Sequence, residues 1–172
     1  MKRVTLLGLL LVTVFSFAVL PNSTSCCVEA FFVSPTVDGV IESQIIEALD
    51  EAEKSIDIAM YSFTDDQLAA AVIRAYDRGV KVRILLEDSR KNEQGGEFTF
   101  LSDGGVQTKS VTEGKLFHHK FVVIDGSLTI TGSYNWSDAA DTRNFENVVF
   151  VSCEEIADRY VKEFEKVWNA SE

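Results

Sequence analysis

The chain has 172 residues, 46% hydrophobic and 25% charged, which excludes a disordered segment and sets the expectation of one globular core. Its formal net charge of -11 is the opposite of a polyanion binder's basic footprint, so any phosphate chemistry must rest on a local cationic site. Three cysteines, neighbours at 26 and 27 with the third at 153, do not read as a disulfide framework, and the core alone is expected to hold the domain.

Residues 1–25 read as a signal peptide or an N-terminal membrane anchor, and 26–172 as the folded domain. Lys2 and Arg3 precede an uncharged run over 4–20, which Pro21-Asn22-Ser23-Thr24-Ser25 breaks. That run is short for a bilayer-spanning helix, so removal and export to the periplasm or the exterior are expected, with an uncleaved anchor as the alternative. Small residues allow a cut after Ser25 or after Ala30. The earlier cut is favoured because it spares a strand that begins near Val28.

Residues 28–33 read as a strand, and 39–54 as a helix with Val40, Ile41, Ile45, Ile46 and Leu49 at helical spacing behind an Asp38 cap. The period-two stretch 55–61 is a strand, 65–78 a helix that Gly79 stops, and 80–86 a further strand. The stretch 87–96 is polar, rich in turn formers and expected to be mobile. A short helix over 98–102, a turn at 103–105 and a strand over 106–109 follow. Strands over 120–124 and 128–131 flank Asp125-Gly126-Ser127 as a hairpin. Residues 146–152 are the last strand, and 154–168 the closing helix, with Ile156, Tyr160, Val161, Phe164, Val167 and Trp168 on its apolar face. This alternation predicts an α/β domain, a mixed β-sheet sandwiched between helices.

Chemistry concentrates in His118-His119-Lys120-Phe121-Val122-Val123-Ile124-Asp125, of the form H-x-K-x4-D, followed six residues later by Gly132-Ser133-Tyr134-Asn135. Strand side chains alternate, so His118 and Lys120 share one side while His119 faces the other. Lys120 can neutralise a nonbridging oxygen while His118 attacks phosphorus. Gly132 permits close backbone approach, and Ser133 and Asn135 offer donors to the remaining oxygens. A lone lysine opening a strand is usually solvated and an aspartate before glycine is usually a turn former, so it is the joint spacing that carries meaning. The chain's two histidines are adjacent, and no C-x2-C or H-E-x-x-H pattern is present. No metal site and no cofactor are therefore expected.

The spacing H-x-K-x4-D-x6-G-S-x-N resembles the phospholipase D superfamily signature at every fixed position. The segments Ala59-Met60-Tyr61-Ser62-Phe63-Thr64, Arg78-Gly79-Val80-Lys81-Val82 and 132–146 look like its short, exported endonuclease branch, and the likeness covers roughly 28–168. The resemblance implies a phospholipase D-like fold and a metal-independent phosphodiesterase that cleaves DNA or RNA through a phosphohistidine on His118. It implies that Lys120, Ser133 and Asn135 bind the phosphate and that Asp125 is a structural partner holding its loop and the lysine. Glu146 is expected to hydrogen-bond the His118 imidazole and fix its tautomer. One chain supplies one suitable imidazole where the chemistry needs a nucleophile and a general acid, so a homodimer with the site on its two-fold axis is expected.

The main rival is hydrolysis of a phospholipid headgroup or of cardiolipin, since the motif reads only a phosphodiester. Outer-mitochondrial relatives proposed to act on cardiolipin or RNA usually carry a Cys/His zinc insert that this sequence lacks. A membrane-tethered binding protein without turnover is disfavoured by the intact set of His118, Lys120, Ser133 and Asn135. Arg90 and Lys91, with Lys109, Lys115 and Arg143, are expected to extend a basic strip suited to a polymer.

Overall fold

Seven strands form one mixed sheet in the order β1-β7-β6-β5-β2-β3-β4. They are β1 (Cys27–Val33), β2 (Ser55–Met60), β3 (Lys81–Glu87), β4 (Gln107–Val111), β5 (Lys120–Ile124), β6 (Leu128–Gly132) and β7 (Glu146–Ser152). β2, β3 and β4 run parallel, while the other neighbouring pairs are antiparallel. Among the described residues five helices accompany them: α1 (Val40–Glu51), α2 (Asp66–Asp77), α3 (Phe98–Asp103), α4 (Asp138–Thr142) and α5 (Glu154–Ala170). This computed structural model describes residues 26–36, 39–112, 114 and 116–171. The leader at 1–25, the Asp38 cap and Lys115 lie outside the described residues.

Period-two strands divide their side chains between two cores. On one face Ile56, Ile58 and Met60 of β2 and Val122 and Ile124 of β5 meet Ile41, Ile45 and Leu49 of α1 and Leu68 and Val72 of α2. On the other, Ala59, Phe121 and Val123 meet Ala157 and Phe164 of α5. The fold class expected from the alternation is the one observed. α2 is capped by Asp65, whose carboxylate accepts from the backbone N–H groups of Gln67 and Leu68.

The polar side of β2 is covered rather than solvated. Asp57 and Arg83, only 6% and 8% exposed, pair at 2.7 Å, and Glu165 of α5 reaches the same guanidinium at 2.7 Å. Arg83 also lies 4.9 Å from the Phe164 ring centroid and 5.4 Å from that of Trp168. One cation thus docks α5 by charge and by aromatic stacking. The end of α5 is held by Lys109, whose ammonium donates to the carbonyls of Trp168 at 3.0 Å and Ser171 at 2.7 Å. Lys109 is a helix cap and not part of a basic strip.

Three further expectations change. Cys26 and Cys153 form a disulfide, because antiparallel pairing sets Cys27 opposite Ser152 and brings the next residues together at 4.8 Å between Cα atoms. The cross-link closes 127 residues of chain, so the core is not the only source of stability. The stretch 87–96 is built into the fold: it opens with a short 3-10 turn at Asp88–Arg90, Arg90 donates to the Tyr61 hydroxyl at 2.7 Å, and Ser62 donates to Glu93 at 2.7 Å. α4, which no apolar periodicity announces, is capped by Ser137.

Asp125 turns the β5–β6 hairpin with a φ of 54°, a conformation that aspartate tolerates better than most residues. Its carboxylate accepts from the backbone N–H groups of Glu53, Lys54 and Ser55 at 3.0, 2.7 and 2.9 Å, clamping the hairpin to the start of β2. These contacts hold the loop at the far end of β5 from Lys120. Burial pushes the Asp125 carboxyl up, yet the three N–H donors and the Lys54 charge outweigh it and hold the group below the usual carboxylate range.

Two measurements follow from these contacts. Arg83→Met leaves the buried Asp57 unpaired and is expected to cost about 3–5 kcal/mol in urea unfolding, much of it recovered when Asp57→Val is added. An unchanged midpoint for Arg83→Met alone would remove the triad from the account of how α5 docks. Asp125→Ala is expected to cost about 1–3 kcal/mol at neutral pH. Because the folded carboxyl lies below its unfolded value, that contribution is full above the unfolded pKa and fades as pH falls through the folded one. The gap between wild type and variant should therefore close in acid, and a gap persisting at about pH 2 would contradict the clamp.

Candidate active site

The site forms where β5 begins beside the end of β2. Met60 pairs with Lys120, so the residue after Met60, Tyr61, falls next to the residues that precede Lys120. His118 and Lys120 lie on one side, with the Lys120 ammonium 3.2 Å from His118 Nε2. The Tyr61 ring packs 4.6 Å from the imidazole, and the ammonium stands 5.1 Å above that ring. Tyr61 is in turn braced by Arg90, whose guanidinium lies 4.8 Å from the same ring's centroid while donating to its hydroxyl. Tyr61 escaped the sequence reading as a site residue; the signal that could have found it is its position just past the β2 residue that pairs with the motif lysine.

His119 faces the opposite side, as the two-residue period requires. It packs edge-on between Phe117 and Phe121, with Nε2 3.7 Å from Glu163 of α5. A cleft of about 380 Å³ opens between β5, β6 and α5 on the His119 side, where His119, Phe121 and Thr131 face Arg159, Tyr160 and Glu163, with His118 and Lys120 at its edge. Burial pulls the Lys120 ammonium below its ordinary range, and the charge of Glu146 opposes that pull. An arriving phosphodiester anion would add to the opposition and favour the charged amine.

The G-S-x-N segment has a different internal logic from the one expected. A Cβ on Gly132 would collide with the backbone oxygen of Asn147, so the glycine admits β7 rather than the substrate. The Ser133 hydroxyl donates to the Glu146 carboxylate and accepts from the backbone and side-chain N–H groups of Asn147 at 3.1 and 3.3 Å. Glu146 also accepts from the Asn144 amide at 2.9 Å. Its described hydrogen bonds go to Ser133 and Asn144, not to His118: β6–β7 pairing places Glu146 across from the G-S-x-N segment. The Asn135 side-chain oxygen is buried without a hydrogen-bond partner among the described residues, which leaves an acceptor position, or a donor if the amide is turned, unspent beside the site. Of the expected basic strip, Lys109 caps α5 and Arg143 pairs with Asp138 at 3.3 Å.

Together the residues place an imidazole and an ammonium on one face, with a hydrogen-bonding segment alongside. A family model described as "Cardiolipin synthase, PLD-like domain" matches residues 45–168. The chain is 32% identical over 126 residues to the human protein named mitochondrial cardiolipin hydrolase, covering 73% of this chain and 50% of that one. It is 36% identical over 118 residues to a Rickettsia conorii protein named phospholipase D, covering 69% and 59%. The chain thus spans about half to three fifths of the length of these relatives. Among solved structures, Nuc of Salmonella typhimurium, titled a phospholipase D family member, superposes with a TM-score of 0.79 at 25% identity, covering 86% of this chain and 97% of that one. NucT of Helicobacter pylori, at 22% identity and a TM-score of 0.77 over 86% and 98% of the two chains, shares the fold. With the motif, the sheet and the family match in agreement, the chain belongs to the phospholipase D superfamily.

Proposed function

We propose that the protein is a metal-independent phosphodiester hydrolase whose nucleophile is His118, and that its substrate is a phospholipid of the cardiolipin type. The observation that carries the chemistry is the placement of His118 and Lys120 on one face, with the ammonium 3.2 Å from the imidazole Nε2 and the Tyr61 ring packed against both. A ring nitrogen of His118 attacks phosphorus, the P–O bond to the leaving alcohol breaks, and a second imidazole protonates the leaving oxygen. That imidazole then takes a proton from water, whose oxygen displaces His118 and releases the phosphomonoester. Lys120 offsets the charge that builds on the nonbridging oxygens.

The substrate reading rests on two supports. Relatives named cardiolipin hydrolase and phospholipase D match most of this chain at 30–36% identity. A chain of net charge -11 is also poorly suited to a long polyanion, and Lys109, one of the cations expected to extend a basic strip, is spent on the end of α5. A single headgroup phosphodiester needs only the local site. The second reading, a DNA or RNA endonuclease, is favoured by the near-complete superposition on Nuc and by Arg90 and Lys91 in the segment beside Tyr61. Export to an oxidising compartment accords with the Cys26–Cys153 disulfide, and leader removal after Ser25 keeps Cys26 where a cut after Ala30 would delete it.

The substrate classes separate in one assay series in excess EDTA, with cardiolipin vesicles, other phospholipid vesicles, single- and double-stranded DNA, and RNA. Headgroup hydrolysis is expected; cleavage of nucleic acid alone would establish the second reading, and loss of all activity restored by a divalent ion would reject the mechanism. His118→Ala should lower the rate by several orders of magnitude, at least about 5 kcal/mol of barrier, while His119→Ala keeps most activity. The reverse ranking would overturn the assignment.

Only one imidazole per chain, His118, faces the phosphate side, so the second one is the partner's and the competent species is a homodimer with both His118 side chains at one site. Dimers purified with one wild-type and one His118→Ala chain should retain far less than half of wild-type activity. Activity near half would show that each chain carries a complete site.

A further inference from the structure

Behind the G-S-x-N segment lies a second set of contacts that the chemistry described so far does not use. Burial alternates along Ser133, Tyr134, Asn135 and Trp136, with Tyr134 and Trp136 turned inward and each only 2% exposed. The Tyr134 hydroxyl donates to Asp141 of α4 at 3.3 Å, and Asp141 is itself 7% exposed. Both carboxylate oxygens of Asp141 lie 3.1 Å from the backbone N–H of Gly39, the residue that precedes α1. Gly39 has a φ of 71° and gives α1 no side-chain cap, so a carboxylate 102 residues away stabilises that helix start.

We propose that Asp141 is a positioning residue of the phosphodiester site: its carboxylate fixes Tyr134 against the start of α1 and so sets the backbone that presents Ser133 and Asn135. This rests on the reading that Ser133 and Asn135 flank the bound phosphate. The geometry separates Asp141 from a residue that only fills the core. Its one side-chain donor sits between the two polar members of the motif, and its backbone donor belongs to a helix packed on the sheet. A shift of either end moves Ser133 and Asn135 relative to His118, and misplacement of about 1 Å is costly to transfer chemistry.

The surroundings make the anchor sensitive to pH. A cleft of about 370 Å³ adjoins it, faced by Glu42 from α1, Asp65 and Asp66 from the start of α2, and Asp138 and Asp141 from α4. Burial, followed by the charges of Asp65 and Asp141, pushes the Glu42 carboxyl up to about 7. The Asp65 carboxyl is raised as well, chiefly by burial. Glu42 is thus neutral on the acid side of about 7 and adds a repelling charge next to Asp141 on the alkaline side. Its folded value exceeds its unfolded one, so this group's contribution is fully present below its ordinary carboxylate range and is lost as pH rises through about 7.

The test uses the whole protein with bis(p-nitrophenyl) phosphate as a small phosphodiester and inorganic phosphate as competitor, well below each variant's melting temperature. Asp141→Asn and Tyr134→Phe are each expected to lower kcat/KM about tenfold and to weaken phosphate inhibition, with the double variant no worse than the worse single one. Glu42→Gln should leave activity at about pH 6 unchanged and flatten the fall in melting temperature toward alkaline pH. Tyr134→Phe, the milder change, carries the test should Asp141→Asn not fold. Folded variants with wild-type kcat/KM and phosphate inhibition, or losses that multiply in the double variant, overturn the proposal. Wild-type activity in His118→Ala would instead show that the reading of the site itself is wrong, so the two failures are told apart.

Discussion

The register of β5 against β2 is the constraint on which the rest depends. A slip of one residue would carry His118 to the α5 side and His119 to the phosphate side, because strand side chains repeat every two positions. Nothing in His118 and Lys120 themselves prevents that slip. It is prevented at the other end of the strand, where the Asp125 carboxylate takes three N–H groups from residues 53–55 and the Asp125 N–H donates to the Ser55 carbonyl at 2.8 Å. The motif aspartate therefore acts on the chemistry through register. This explains why its fixed spacing from Lys120 matters although the two side chains do not meet.

Much of this arrangement was legible in the sequence because it is local. Strand parity separated His118 from His119, alternation of apolar blocks gave the α/β class, and fixed spacing joined H-x-K to G-S-x-N. What was not legible depends on pairing between distant segments. Cys26 meets Cys153 only because β1 runs antiparallel to β7, and Lys109 meets the end of α5 only because β4 ends beside it. Asp57 is a charged residue in an alternating strand, and an arginine on the next strand and a glutamate on α5 let it be buried. No local pattern reports such partners.

Glu146 shows the same limit within the site. Its place at the start of the last strand was visible, but which hydroxyl or imidazole it would face was set by β6–β7 pairing, where Gly132 stands opposite Val148. The result is a carboxylate spent on Ser133 and Asn144, close enough to Lys120 to bias the ammonium toward its charged form. A local electrostatic site can then operate on a strongly acidic body, because one half-buried cation with one carboxylate nearby is governed by neighbours within a few ångströms more than by net charge.

The G-S-x-N segment is held from behind at successive residues, and this bears on how a site with so few charges can be selective. Ser133 is tied to β7, Tyr134 to α4 and α1 through Asp141, and the Trp136 carbonyl accepts from the Thr64 N–H at 2.7 Å while its ring meets Phe63 edge-on. Only the Asn135 side-chain oxygen among these groups is left buried and without a partner in the described residues. An unmatched polar group in such a setting costs about 1–3 kcal/mol, and a segment otherwise so fully satisfied gives it no room to relax. The rigidity that keeps Asn135 unmatched is the same rigidity that would let it meet a phosphate oxygen without reorganisation. On the proposed reading, fixed orientation rather than accumulated positive charge is what would let this acidic protein hold a phosphodiester.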